Sequence, residues 1–382
     1  MSSPSPAPQR PPVPRGMVRI GRIAGSDVLV STSWFFVAAL IAWIMGPRVD
    51  QVQPGLGAWK YVVGVAFAMA LYLAILLHEA SHALVARRFG FTVEAITLHF
   101  LGGATTIDGE ARRPRQEFWI AVVGPITSLA VGAVALALWF AIPEDQGLLL
   151  LVVEGLAGSN LVIGVLNLVP GLPLDGGRVL KAGVWALTGK VYVGTVVAGW
   201  GGRVTAVAVV VWAFLSSRDG TVVNSVVLVI VAMFLWTGAS QAIAAAGVVR
   251  GLSGVVAREL ARPAITVPED LPLAEAVRRA GAASVPGSMT GIVTTTSDGR
   301  PVGVVSDEAV RAVPEERMPW LAVSTVARSL VGGRALPVGI TGEDLLAALR
   351  RTPASEYVLL AEDGSVHGVL ATADIVRAMR NR

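Results

Sequence analysis

Apolar runs near the length needed to cross a bilayer recur along the chain: Val30 to Met45, Tyr61 to Ala86, Phe118 to Ile142, Leu148 to Val169, Val191 to Leu215 and Val222 to Val249. A hydrocarbon core about 30 Å thick takes about 20 residues of helix, so each run predicts a spanning helix, six in all. The fifth reads as broken, because Gly199, Gly201, Gly202 and Arg203 interrupt it. Either its first part lies along the interface or Arg203 faces a wet cavity. Two shorter stretches carry a period nearer two. FTVEAITLHFLGGATTIDGE, between the second and third runs, alternates β-favouring residues around Gly102 and Gly103 and predicts a strand or hairpin. GRIAGSDVLVST, ahead of the first run, reads as a short strand or an interfacial segment.

From about Val255 the pattern changes and charged residues become frequent. ITVPEDLPLAEAVRRAGA followed by GIVTTTSDGRPVGVVSDEAV repeats loosely as LPVGITGEDLLAALRRT followed by EYVLLAEDGSVHGVLATADIV. Each copy reads strand, helix, strand, turn, strand, helix. The turns Asp298-Gly299 and Asp363-Gly364 join β-branched runs, as hairpins require. At the other end, residues 1–16 are rich in Pro and Ser without an acidic group, which predicts a disordered basic tail and no signal peptide.

Composition agrees with this division. With 382 residues, 53% hydrophobic, mean hydropathy +0.64 and 15% charged, the chain is too apolar for one soluble domain and too long for a membrane bundle alone. It contains no cysteine, so His, Asp and Glu must hold any metal. The pI of about 9.8 comes from scattered arginines with no lysine-rich block, so no nucleic-acid partner is expected. Arg10, Arg15, Arg19, Arg22, Arg87, Arg88, Arg112, Arg113, Arg115, Arg178, Lys181 and Lys190 fall on one side of the membrane, against Arg48, Lys60 and Arg218 on the other. That asymmetry puts both termini in the cytoplasm of a multi-pass protein of the cell membrane.

The candidate chemistry begins where the second run passes into HEASHALVARRF. His78 and His82 stand four apart, so on a helix they share a face and can share a tetrahedral metal, with zinc expected, and Glu79 stands beside them. His82 precedes Arg87 by about 7.5 Å of helix rise, which sets the metal inside the bilayer toward its cytoplasmic face. The fourth run ends in NLVPGLPLDGG, where Asn167, Pro170, Pro173, Asp175, Gly176 and Gly177 crowd polar and helix-breaking residues at membrane depth. Asp175 there is either a third ligand or the cap of a turn. His99 has no spaced partner and reads as structural or surface-exposed, and Glu154 reads as a snorkelling side chain.

Two of these elements, His78-Glu79-Ala80-Ser81-His82 and the pattern Asn167, Pro170, Leu174, Asp175, Gly176, together with Gly102-Gly103 and Gly124-Pro125, resemble the site-2 proteases. These are intramembrane zinc metalloproteases that cut transmembrane helices of other proteins. The resemblance spans roughly residues 17 to 250, with Ser128 where the family pattern would place Asn. It implies one zinc per chain bound by His78, His82 and Asp175, with Glu79 as general base and Asn167 assisting the oxyanion. The substrate would be a membrane-embedded protein, a membrane-anchored regulator reached within the lipid bilayer. The repeated C-terminal region, about 255–318 and 319–382, resembles a tandem pair of cystathionine-β-synthase (CBS) domains. It departs from their GxxTxxD pattern at Ala309 and Ala371. The pair would modulate activity or dock substrate, form a homodimer, or bind an adenine nucleotide with Asp374 on the ribose. The expected fold is thus a polytopic α-helical membrane protein of about six transmembrane helices with a membrane-associated β-hairpin, plus a cytosolic α/β tandem CBS module. A CBS-gated transporter or channel and a non-cleaving membrane scaffold are the alternatives.

Overall fold

A computed structural model describes residues 13–23, 25–99, 102–216, 222–252, 256–284 and 290–380. Residues 1–12 of the expected tail, and Arg218, lie outside the described residues. The chain divides into two compact units, Met1–Ile243 and Ala244–Arg382.

In the first unit the alternating segments form one small sheet. β1 (Met17–Ile23) and β2 (Ser26–Ser31) are an antiparallel hairpin, β2 runs parallel to β3 (Thr92–His99), and β3 pairs antiparallel with β4 (Gly102–Asp108). The order β1-β2-β3-β4 leaves β4 at an edge. Val28, Val93 and Ile96 point from this sheet onto Ala80, Ala83 and Ala86, whose small side chains let the sheet lie close to the helix behind it.

Among the described residues, six helices carry the apolar runs. They are α1 (Ser33–Val52), α2 (Trp59–Arg88), α3 (Pro114–Ala141), α4 (Gly147–Asn167), α6 (Val191–Ser216) and α7 (Val222–Leu252), and each is long and apolar enough to cross a membrane. Their outward side chains are apolar, with Phe36 and Phe140 80% and 74% exposed, as lipid-facing helices require. Between α4 and α6 lies α5 (Asp175–Thr188), about 21 Å long and too short to span, ended by Gly189 in the left-handed conformation at φ 71°.

The fifth span is not broken. α6 is one continuous helix, and its glycines serve packing instead of interruption. A Cβ at Gly201 would fall on the carbonyl of Pro170, and one at Gly202 on that of Leu172. Leu172 N–H donates to the Ala198 carbonyl at 2.9 Å. The segment between α4 and α5 is thereby seated against α6 backbone to backbone. Arg203 stacks between the rings of Trp200 and Trp236, 4.8 and 5.1 Å from their centroids, and donates to Ser240 Oγ at 3.1 Å. Indole faces and a hydroxyl thus meet this guanidinium within the helices.

The second unit repeats one order of elements. α8 (Ala257–Leu260) leads into β5 (Ala264–Pro268), α9 (Leu273–Ala283), β6 (Gly291–Thr295), β7 (Pro301–Val305), α10 (Asp307–Arg311) and β8 (Ala327–Ser329). Then come β9 (Ala335–Pro337), α11 (Gly342–Arg351), β10 (Glu356–Leu360), β11 (Val366–Ala371) and α12 (Thr372–Arg380). The sheets are ordered β5-β6-β7-β8 and β11-β10-β9. The first sheet runs past residue 318, through β8, because Val305 to Gly303 pair with Ala327 to Ser329. Conversely Ala257 sits in the core of the second half with Leu336, Leu345, Tyr357 and Leu370. Val293 and Val304 pack on Val358 and Val369, which closes the two halves on one another.

Candidate metal centre

His78 and His82 lie on successive turns of α2 and are 5% and 4% exposed, their ring centroids 4.9 Å apart. Asp175, the first residue of α5, brings Oδ2 to 3.1 Å from His78 Nε2 and 3.2 Å from His82 Nε2. The sequence turns the chain sharply to deliver that carboxylate. Leu174 N–H donates to Gly171 and Gly177 N–H to Leu174, both at 3.0 Å. Any side chain at Gly176 or Gly177 would strike the backbone of Leu168, Val169, Gly171 or Leu172. Pro173 fills the space left by Gly238 on α7.

The opposite wall is a stripe on α3 with helical spacing: Ile120, Gly124 and Ser128. Gly124 is obligatory, since a Cβ there would occupy the positions of His82 Nε2 and His78 Nε2. Ser128 Oγ lies 2.9 Å from His78 Nδ1, and the Ile120 carbonyl accepts from His82 Nδ1 at 2.5 Å. A carbonyl only accepts, so Nδ1 of His82 carries a proton, which leaves Nε2 as the nitrogen turned to the centre. Nε2 faces a carboxylate oxygen, an arrangement that a cation between them satisfies.

Size and chemistry agree. The three candidate ligand atoms lie within 4.8 Å of one another. Atoms each about 2.0–2.2 Å from a tetrahedral zinc stand roughly 3.3 Å apart, close to the observed 3.1 and 3.2 Å. Two imidazoles and one carboxylate with a position left open are a donor set suited to hydrolytic zinc.

Glu79, 8% exposed, turns toward the sheet instead of the histidines' face. Thr105 of β4 donates to Glu79 Oε2 at 2.7 Å, and its hydroxyl also lies 3.1 Å from the Glu79 carbonyl. Gly103 clears the space, because a Cβ there would overlap the Glu79 side chain. Of the glycine pair expected in a hairpin, Gly103 therefore makes room for a carboxylate.

Not every expected residue joins the cluster. Asn167 ends α4, half-buried, with no hydrogen bond from its side chain among the described residues. His99 ends β3, where its carbonyl accepts from Tyr72 Oη at 3.4 Å, and its ring is not part of the group. Glu154 is exposed on α4. In the second unit Asp374 is already engaged: Arg262 Nε and Nη2 donate to its two oxygens at 2.5 and 3.1 Å, while Arg262 Nη1 reaches Asp307 at 3.2 Å. The Asp374 carboxylate holds this guanidinium above its usual range. Sequence reasoning missed the roles of Ile120 and Thr105, and marked Ser128 only as a departure from the family pattern at a minor polar contact. The spacing of 120, 124 and 128 is visible in the chain, but a backbone carbonyl has no residue type to announce it.

Comparison with known proteins gives this geometry a lineage. The model of peptidase family M50 matches residues 66–149, which include His78, Glu79, His82 and Ser128. The putative zinc metalloprotease Rip3 of Mycobacterium tuberculosis is 31% identical over 372 residues, 95% of this chain and 93% of its own. The chain is a site-2 protease of peptidase family M50. A putative zinc metalloprotease of Synechocystis is 25% identical over 95% of both chains. The CBS domain model matches residues 256–316 of this M50 protease, within its second unit. The solved site-2 protease of Methanocaldococcus jannaschii is 24% identical, covering 59% of this chain and 95% of that one with a TM-score of 0.41. As a family member the chain is a multi-pass membrane zinc metalloprotease.

Proposed function

We propose that this protease cleaves a transmembrane helix of another membrane protein, a membrane-anchored regulator, at a zinc held by His78, His82 and Asp175. The observation that carries the reading is the convergence of both Nε2 atoms on one Asp175 oxygen, with Glu79 adjoining on the same helix. Zinc, when bound, supplies a Lewis acid that polarises a carbonyl and acidifies a water.

The chain's own groups do the rest. Thr105 engages Oε2 of Glu79 and leaves Oε1 to take the water proton and return it to the leaving amine. The Asn167 amide, with no side-chain hydrogen bond among the described residues, is available to donate to the carbonyl oxygen as negative charge develops there. Ile120 and Ser128 hold the two imidazoles in one orientation throughout.

A helical substrate locks its carbonyls in backbone hydrogen bonds, so it must unwind before attack, and low helix propensity near the cut should help. The outer edge of β4 can receive the unwound segment by strand addition. Thr105 lies on that strand, so an added strand would run beside Glu79.

The arginine asymmetry of the loops supports an orientation with both termini in the cytoplasm of the cell membrane, and with the second unit there. The repeated element order of that unit supports a tandem CBS pair that modulates access, docks substrate or joins two copies. An adenine nucleotide using Asp374 would have to displace Arg262. The reading is tested by reconstituting the protein with a single-span substrate and comparing wild type with Glu79→Gln, which should retain zinc and lose cleavage.

A further inference from the structure

A second buried ionic group lies beside the centre and belongs to neither the ligands nor the base. Glu117 of α3 is 5% exposed. Its Oε1 accepts from Arg178 Nε at 3.0 Å and lies 3.5 Å from Lys181 Nζ, so two successive turns of α5 converge on one carboxylate oxygen. A carboxylate removed from water is costly unless paired and hydrogen-bonded, which fixes the separation of α3 and α5 at this level.

The position on each helix gives the pair its meaning. Glu117 lies three residues before Ile120, the carbonyl that receives His82 Nδ1. Arg178 lies three residues after Asp175, whose Oδ2 faces both histidines. On each helix the ion pair is therefore one turn from a group that defines the centre. The turn that starts α5 is otherwise held by backbone contacts of the segment Leu168 to Leu174, and no ion pair outside this group joins α3 to α5 among the described residues.

We infer that Glu117 and Arg178 are positioning residues for the metal centre: their ion pair clamps the first turn of α3 to the first turn of α5 and so holds Asp175 at its distance from His78 and His82. This rests on the proposed ligand set. The alternative is a pair that only stabilises the bundle, and buried pairs often do little more. Replacing both partners together is then frequently neutral for stability, whereas removing one is costly.

That contrast supplies the test. Full-length protein in detergent is titrated with zinc against a competing chelator, and the thermal midpoint of the zinc-free form is measured alongside. Glu117→Gln and Arg178→Gln should each weaken zinc binding by roughly 10–100-fold, the range seen when groups that orient a ligand are lost. The double variant, made with Lys181→Gln so that no cation is left unpaired, should regain zinc-free stability toward the wild-type value while its zinc affinity stays low. Asp50→Asn, which removes the Lys60 ion pair between α1 and α2, should leave zinc affinity unchanged. Wild-type affinity in either single variant, or recovery of affinity together with stability in the double variant, overturns the clamp and leaves the ligand set intact. Failure of the wild type to bind one zinc, or full binding by His82→Ala, overturns the ligand set and the clamp with it.

Discussion

His82 Nδ1 is tied to the carbonyl of Ile120, and this one contact decides which of its nitrogens can meet Asp175. The helix that carries Ile120 carries Ser128 two turns later, on the Nδ1 of His78. The histidine face of α2 is thus oriented by α3, and the Asp175 carboxylate arrives from the start of α5.

Removal of a donor should therefore differ from removal of an unrelated histidine. Asp175→Ala, His78→Ala and His82→Ala should each lower zinc affinity by more than the roughly 10–100-fold typical of groups that only orient a ligand. His99→Ala should bind zinc as wild type does. Metal analysis after dialysis checks this. Full occupancy in Asp175→Ala together with loss in His99→Ala would show the assignment to be wrong.

Gly124 gives a purely steric prediction. A methyl group there would overlap both imidazoles, so Gly124→Ala should cost zinc and activity although no polar group is removed. Comparison with Gly158→Ala on α4, where a Cβ meets nothing, separates the local clash from a general effect of altering a membrane helix.

Ser128 should matter through orientation alone. Ser128→Ala removes the partner of His78 Nδ1 and should lower zinc affinity about tenfold, while Ser128→Asn restores a polar partner and should recover most of it. Equal affinities in wild type and Ser128→Ala would remove the contact from the mechanism.

The second unit can be tested at its own acidic pair. If it senses adenine nucleotide, the ribose replaces Arg262 on Asp374. Arg262→Gln should then tighten binding of ATP, ADP or AMP, and Asp374→Ala should abolish it, as read by calorimetry on the full-length protein. No heat in wild type or Arg262→Gln at millimolar nucleotide would leave docking or dimerisation as the role of the unit.

Much of this fold and site is legible in the amino-acid sequence. Spans announce themselves because lipid demands length and apolarity at once, and His78 and His82 declare a shared face through their spacing alone. Asp175 stands out because a charge beside helix breakers is costly at membrane depth. The continuity of α6 is not legible: Gly199, Gly201 and Gly202 look like breaks until the segment that packs on them is known. The parallel pairing of β2 with β3 is equally hidden, since it joins strands separated by two whole spans. Glu117 and Arg178 sit far apart in the chain, and only the fold brings them to 3.0 Å.

The most direct measurement is cleavage of a reconstituted single-span membrane substrate by Glu79→Gln, with zinc content determined on the same sample. A zinc-dependent general-base mechanism predicts about one zinc per chain and cleavage lowered by at least the roughly 10²–10⁴-fold that general-base catalysis supplies. Cleavage at the wild-type rate by a zinc-loaded Glu79→Gln protein would contradict it.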